Sequence, residues 1–288
     1  MSSQDEAAEE FQRHRPRLLG VAYRLLGSAW DAEDVVEEAA IRWLQTDRTG
    51  IAEPAAFLTT VVTRLALDHL KSARVRRESY YGPWLPEPVP AGRGQLGPLE
   101  TAEQRESLSL ATMRLMERLT PPERGVYVLR TAFDMPYAEI AEILSVSVDS
   151  ARQLFHRAQN RISGVDRFES SPAEHTRLLE SFLAAAAKGD FAGLTSMLAQ
   201  DVVVYADGGG KLSAALKPVT GIDHVSRYLT GLLNQFPVEG LEFIEANGNP
   251  AVLVTMNGQP HLVAIAIRDG KLAELYVVRN PDKLHKVA

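Results

Sequence analysis

The stretch "LTPPERGVYVLRTAFDMPYAEIAEILSVSVDSARQLFHRAQNRI", residues 119–162, decides how the first half of the chain is read. Pro136 opens a short helix over 137–144, since proline is at home in a first helical turn. Ser145, Val146 and Ser147 form a brief turn, and Ser147 is placed to cap a second helix over 148–162. On that helix Ala151, Leu154, Phe155, Ala158 and Ile162 recur at helical spacing and form a buried stripe. Ser150, Arg152, Gln153, His156, Arg157 and Arg161 are left on the outer face. Two short helices, a three-residue turn and an exposed face of Arg, Gln and His fit a helix that lies in a DNA major groove. Arginine can pair with guanine edges and glutamine with adenine edges. A generic αα-hairpin is the other reading.

Upstream, the first 80 residues carry helical periodicity throughout. Leu18, Leu19, Val21, Ala22, Leu25 and Leu26 mark a first helix that breaks at Gly27 and Ser28. Asp31 is a plausible N-cap for a second, "DAEDVVEEAAIRWL", whose Val35, Val36, Ala39, Ala40 and Trp43 share a face. Its acids Asp31, Glu33, Asp34, Glu37 and Glu38 are either a solvated surface near a helix N-terminus or a docking surface for a basic partner. A third helix opens at Pro54. Between residues 64 and 77 it carries Arg64, Lys71, Arg74, Arg76 and Arg77 against the single acid Asp68. That local excess suggests phosphate contact, or a solvated helix end that complements its own dipole.

From residue 82 the texture changes. "GPWLPEPVPAGRGQLGP" has five prolines and four glycines in seventeen residues, the composition of an extended linker. Beyond a boundary near "FESSPAE", residues 168–174, two helical stretches (about 174–188 and 190–199) precede a strand-like "DVVVYA" and a helix near 222–235. Four more β-rich runs follow, 241–246, 251–256, 261–268 and 271–279, with Asn-Gly, Asn-Gly and Asp-Gly as turn signals. Helices followed by strands predict an α+β domain with an antiparallel sheet. "DGGGK", residues 207–211, lacks the glycine spacing of a phosphate-binding loop, and Leu212 stands where a Ser or Thr would follow the lysine. It reads as a turn between "VVVYA" and "LSAAL", with glycines that let another surface come close.

Composition narrows the function classes. The 288 residues predict two or three domains. With 31 basic and 37 acidic residues the net charge is −6, so DNA binding must come from local patches or need a partner. The absence of cysteine excludes disulfides, thiol chemistry and Cys-containing zinc sites. The seven histidines have no ligand-like spacing, so neither a metal nor a cofactor is expected. The acidic start is unlike a signal peptide and no 18-residue apolar run occurs, so no membrane association and a cytoplasmic location are the expectation.

Taken in order, the acidic helix, the basic "AFLTTVVTRLALDHLKSARVRR", the linker and the 119–162 stretch resemble an extracytoplasmic-function sigma factor of bacterial RNA polymerase. "WLPEP" (84–88), "DGGGK" (207–211) and "NPDKL" (280–284) match the subgroup with a C-terminal SnoaL-like domain, a cone of curved sheet and helices. Glu37, Ala40 and Gln159 stand where glutamine, an aromatic and arginine are frequent in the family. The resemblance implies two all-α sigma domains and an α+β domain: region 2 over 1–82, a linker over 83–102, region 4 over 103–167 and the SnoaL-like domain over 172–288. It implies two partners, core RNA polymerase and promoter DNA, for a chain that is a monomer when free.

The helix over 31–44 would dock on the polymerase, with Asp31, Asp34, Glu37, Glu38, Arg42 and Trp43 as candidates. Arg64, Asp68, Lys71, Arg74, Arg76 and Arg77 would meet the minus-10 element. The loop "QTDRTGIAEPAA" (45–56) would capture an unstacked base. Ser150, Arg152, Gln153, His156, Arg157 and Arg161 would read the minus-35 element.

For the last domain the expectation is regulation in cis rather than catalysis. Among Asp207, His224, Tyr228, Glu242, His261 and Tyr276 no pair is singled out as acid and base, and a small ligand in the cone is a further possibility. The regulatory candidates are Trp84, Leu85 and Pro86 of the linker, docked near Asp207, Gly208, Gly209, Gly210 and Lys211 and near Asn280, Pro281, Asp282, Lys283 and Leu284. The rival readings are a dimeric ligand-responsive repressor and an enzyme with a DNA-binding appendage.

Overall fold

The structure, a computed structural model, describes residues 3–90, 96, 102–162 and 172–287. It divides into two units, Met1–Glu78 with Ala91–Gly164, and Ser79–Pro90 with Val165–Ala288. Linker residues 91–95 and 97–101, boundary residues 168–171 and the Arg76 side chain lie outside the described part.

In the first unit three long helices form a bundle: α1 (Ser3–Leu26), α2 (Ala29–Gln45) and α3 (Pro54–Glu78). Their apolar stripes meet in a core of Leu18, Val21, Leu25, Val35, Val36, Ala39, Leu58, Val62 and Leu70, all buried. The α2 cap is Ser28 and not Asp31: the Ser28 hydroxyl accepts the Asp31 N–H at 3.2 Å. Serine in extended backbone reaches the third N–H of the helix, whereas Asp31 already lies in its first turn.

The remaining helices are α4 (Ala102–Glu106), α5 (Leu110–Met116), α6 (Pro121–Phe133), α7 (Tyr137–Leu144) and α8 (Val148–Ile162). Thr120 and Glu123 close a capping box at the start of α6. The α7–α8 turn is made by Ser145 in left-handed backbone (φ 56°) and by Ser147, whose hydroxyl accepts the Ser150 N–H at 3.1 Å. Ala151, Leu154 and Ala158 are buried, and the Phe155 ring packs on Tyr127 and Tyr137.

A buried arginine ties the two halves of this unit together. Arg24 of α1 donates to the Leu96 carbonyl (2.9 Å), the Gln104 carbonyl (3.2 Å) and the Ser107 hydroxyl (2.9 Å). Burial lowers its pKa to about 10, with Tyr23 pulling the other way. The Leu96 carbonyl reaches Arg24 because Gly20, one turn earlier, has no side chain: a Cβ there would stand 2.1 Å from that oxygen.

The second unit is α+β. Helices α9 (Pro172–Lys188), α10 (Phe191–Met197) and α11 (Ile222–Gln235) accompany six strands: β1 (Leu198–Asp207), β2 (Val219–Thr220), β3 (Val238–Ala246), β4 (Asn249–Met256), β5 (Gln259–Arg268) and β6 (Lys271–Val278). The sheet order is β2-β1-β6-β5-β4-β3. Asn247-Gly248, Asn257-Gly258 and Asp269-Gly270 all have positive φ and close the β3–β4, β4–β5 and β5–β6 hairpins, as their sequence signals predict.

Two expectations change here. The sheet is mixed, because β1 runs parallel to β6. DGGGK is not a tight hairpin turn either: "LSAAL" forms no strand, and the antiparallel partner that follows β1 is the two-residue β2, Val203 facing Thr220. The third difference concerns the linker. Residues 79–90 belong with the C-terminal unit, where Leu85, Pro86, Glu87, Pro88 and Val89 are buried. A run with four prolines presents few N–H donors to satisfy, so it packs in extended form at little cost in backbone hydrogen bonding.

In an ordinary helix Gly→Ala stabilises by about 1 kcal/mol. At Gly20 the sign reverses: Gly20→Ala pushes the Leu96 carbonyl off Arg24 and costs about 1–3 kcal/mol, read as a lowered thermal midpoint.

Candidate functional site

Three surfaces carry the candidate residues. The first is α2. Asp34, Glu37, Glu38 and Arg42 are exposed, with Arg42 and Glu38 paired at 2.5 Å, and Asp31 is half-buried beside His69 at 3.3 Å. Trp43 is instead a core residue. It lies on the same stripe as Val36 and Ala39, and its indole N–H donates to the Ala7 carbonyl at 2.9 Å. The large apolar groups that α2 does expose are Trp30, Ile41 and Leu44. The sequence reading passed over them, because at helical spacing they fall just outside the buried stripe.

The second surface is the basic face of α3, and most of it is already engaged. The Arg64 guanidinium sits on the C-terminal end of α7, donating to the Ile143 carbonyl (2.9 Å) and the Glu142 carbonyl (3.0 Å). Those carbonyls are the unpaired acceptors every helix leaves at that end, where a cation is favoured. Arg74 donates to the Leu119 carbonyl at 2.8 Å. Arg77 pairs with Glu117 at 2.5 Å, and Arg124 pairs with the same carboxylate. Burial alone would raise the Glu117 pKa, but Arg124 and Arg77 together hold it below the usual carboxylate range. Of the described basic residues expected to meet the minus-10 element, Arg64 and Lys71 are exposed, and Lys71 pairs with Asp68 at 2.7 Å.

On α8 the outer face is open. Arg152, Gln153, His156, Arg157 and Arg161 are exposed and Ser150 is half-buried. Glu123 of α6 tethers two of them, Arg161 at 2.6 Å and Arg157 at 3.6 Å. Both guanidiniums remain about half exposed, so they stay within reach of a ligand.

The third constellation lies in the C-terminal unit and joins the three short motifs. Asp207, at 0% exposure, receives the Tyr80 hydroxyl (2.6 Å), the Leu85 N–H (2.9 Å), the Gly209 N–H (3.1 Å) and the Lys283 ammonium (2.7 Å). Lys283 also donates to the Leu85 carbonyl at 2.6 Å and lies over the Trp84 and Tyr80 rings, 4.3 and 4.9 Å from their centres. The Asn280 amide donates to the Tyr80 hydroxyl at 3.0 Å. Burial, with Asp207 next to it, raises the Tyr80 pKa, so the phenol keeps its proton and donates.

Further along, Val89 exchanges bonds with Asn247: its N–H meets the side-chain oxygen at 3.2 Å and its carbonyl takes the Asn247 N–H at 2.9 Å. Lys211 and Asp282 pair at the surface, at 2.6 Å. Tyr80 and Asn247 were not singled out in the sequence. Tyr80 precedes the proline-rich run, and Asn247 was legible only as a turn residue.

The glycines act locally. A Cβ on Gly209 would lie 2.3 Å from the Asn280 amide, and one on Gly208 would lie 2.1 Å from the Leu212 carbonyl oxygen. The close approach is therefore made by the 280–284 segment and by the loop itself. The linker meets this loop at Asp207, through Tyr80 and Leu85, and lies at ordinary contact distance from the Gly210 position through Tyr81.

The six titratable residues weighed for catalysis do not converge. Asp207 is consumed in the network above, His224 and Glu242 are exposed, and the Tyr276 hydroxyl bonds Glu274. His261 and Tyr228 are both near Arg279.

Residues 11–76 match the family profile of Sigma-70 region 2, and residues 109–162 that of Sigma-70, region 4. The chain is 40% identical over 287 residues to the ECF RNA polymerase sigma factor SigJ of Mycobacterium tuberculosis, covering 95% of this chain and 92% of that protein. It is 32% identical over 288 residues to the probable ECF RNA polymerase sigma factor SigI of the same species, covering 99% and 97%. The crystal structure of Mycobacterium tuberculosis extracytoplasmic function sigma factor SigJ matches with a TM-score of 0.79 at 37% identity, over 97% of this chain and 98% of that one. Among the described residues no helix is long and apolar enough to cross a membrane.

Asp207→Ala leaves the Lys283 ammonium buried without its counter-charge and the Leu85 N–H without its acceptor, and is expected to cost about 3–5 kcal/mol in denaturant unfolding. It should also open residues 79–90 to limited proteolysis. His175 and His261 supply a pH test. Burial lowers the pKa of both from 6.5 to about 4. Above pH 6.5 each is neutral folded and unfolded. As pH falls from 6.5 toward 4 the unfolded chain takes up protons first, and stability drops by up to about 3 kcal/mol per histidine. His175→Leu should flatten that decline; an unchanged slope between pH 7 and 5 would refute it.

Proposed function

The chain belongs to the extracytoplasmic-function RNA polymerase sigma factors, alternative sigma factors for transcription initiation that bind core RNA polymerase and promoter DNA, and on that premise we propose that its C-terminal unit regulates it in cis by clasping the segment between the two DNA-reading modules. The observation that carries the proposal is the Asp207 carboxylate, which takes donors from Tyr80 and Leu85 of that segment and from Lys283 of the chain end. Removing the segment would strip two donors from a buried carboxylate, so release is costly and the clasp is a two-state element. Trp84 and Leu85 anchor it, as large apolar groups commonly do at an interface.

The arrangement of the first unit fits the same reading. Minus-10 and minus-35 elements are about 25 base pairs apart, on the order of 85 Å of B-form DNA. With Arg64 bonded to α7, α3 and the helix-turn-helix cannot both lie on such a promoter. The polymerase must separate them, and each guanidinium then exchanges a carbonyl for a phosphate or for water. The acids of α2 together with exposed Ile41 and Leu44 form the surface that meets the polymerase. Held there, two weak DNA-reading modules act together through effective concentration.

In transcription reactions with core polymerase and a cognate promoter, Trp84→Ala and Asp207→Ala should shift output at least about threefold while retaining core binding, since loss of a buried charged contact biases the clasp by several kcal/mol. Output indistinguishable from the unaltered chain in both variants would sink regulation by the clasp. Separately, Arg157→Ala should weaken use of the minus-35 element by about tenfold and leave core binding intact.

A further inference from the structure

We propose that the C-terminal unit binds a small organic carboxylate on Arg279, with His261 and Tyr228 as further hydrogen-bond donors. Arg279 is 8% exposed, and no carboxylate pairs with it among the described residues. One terminal nitrogen, Nη1, donates to the Ser213 carbonyl, and the guanidinium lies 5.8 Å from the Phe236 ring centre. Its Nε is buried without a partner. Nε is therefore a buried donor left for an acceptor, and the Nε–Nη2 edge of a guanidinium is one that takes a carboxylate through two parallel bonds.

His261, 1% exposed, has neither ring nitrogen at hydrogen-bonding geometry. It is held neutral by burial and then by Arg279, with the Met256 backbone pulling weakly the other way. The Tyr228 phenol is close enough to Arg279 to feel its charge, and burial keeps it protonated. A buried guanidinium whose Nε lacks an acceptor, beside a neutral imidazole with no bonded ring nitrogen, is a costly arrangement in an otherwise apolar core. An anion that accepts from both, and from the Tyr228 phenol, removes the cost.

The charge balance selects the ligand class. One guanidinium neutralises one negative charge, whereas a phosphate dianion would leave a net charge buried. The surroundings favour an apolar body behind the carboxylate, since Phe236, Leu229 and Leu232 belong to or pack on the core cluster. Tyr228 and Phe236 are half-buried and give the site an edge on solvent.

The test is calorimetric titration of the full-length chain with benzoate and hexanoate, against benzamide, hexanamide and sulfate. At least one carboxylate should bind, its amide about tenfold more weakly or worse, because a charged acceptor makes the stronger bond. Arg279→Met should abolish the difference between acid and amide. Tyr228→Phe, which keeps the packing, should weaken the acid severalfold. The proposal fails if neither carboxylate binds, if amide or sulfate binds as well as the acid, or if Tyr228→Phe is without effect. The comparison of acid with amide uses the unaltered chain, so it stands even if Arg279→Met does not fold. It also stands or falls independently of whether the clasp regulates transcription.

Discussion

The C-terminal unit is organised around a carboxylate taken out of water. A buried Asp is tolerated only when its lone pairs are filled and its charge is balanced, since an unpaired one costs several kcal/mol. Asp207 meets that demand with the Tyr80 hydroxyl, the Leu85 and Gly209 amides and the Lys283 ammonium. Its own carbonyl accepts the Arg279 and Asn280 N–H groups, which pins the end of β6 to the end of β1. Two of the carboxylate's four donors come from residues 79–90. That segment is therefore part of the unit's core in energetic terms, although more than a hundred residues separate it from Asp207 along the chain.

The first unit solves a different problem, guanidiniums that the fold places near few carboxylates. Guanidiniums there are satisfied largely by backbone carbonyls, at Leu96, Gln104, Leu119, Glu142 and Ile143. These contacts differ in kind. Arg24 and Arg124 are fully buried and hold the halves of the unit together. Arg64 sits at the rim, on a helix end, where a carbonyl can be traded for another acceptor at modest cost. Exchange of that kind is what the proposed nucleic-acid contact of Arg64 requires, and a buried ion pair such as that of Arg124 and Glu117 does not allow it.

Local features were legible from the sequence where the physics is local. Ser147 capping α8, Pro136 before α7 and the three Asn-Gly or Asp-Gly turns follow from backbone preferences of single residues. The DGGGK loop is longer than its sequence suggests because "LSAAL" forms no strand and β1 takes its antiparallel neighbour only at Val219, while its parallel pairing with β6, some seventy residues on, leaves no local pattern at all. Trp43 is expected both on the apolar stripe and among the docking candidates, and its burial leaves it the first of these roles. Gly209 was read correctly as a point of close approach, but its neighbour is Asn280 and not the linker tryptophan.

The sequence by itself determined the order of modules, the helix-turn-helix with its outward Arg, Gln and His, and the α+β class of the last unit. All of these rest on periodicity and capping over spans of a few to twenty residues. Tertiary structure alone decided which charges are spent. That Arg64, Arg74 and Arg77 lie on carbonyls or a carboxylate, that Asp207 and Lys283 enclose Leu85, and that Arg279 is buried without an acid depend on which distant groups share a low-dielectric space. Charge along a chain is readable; its partner is a property of the fold.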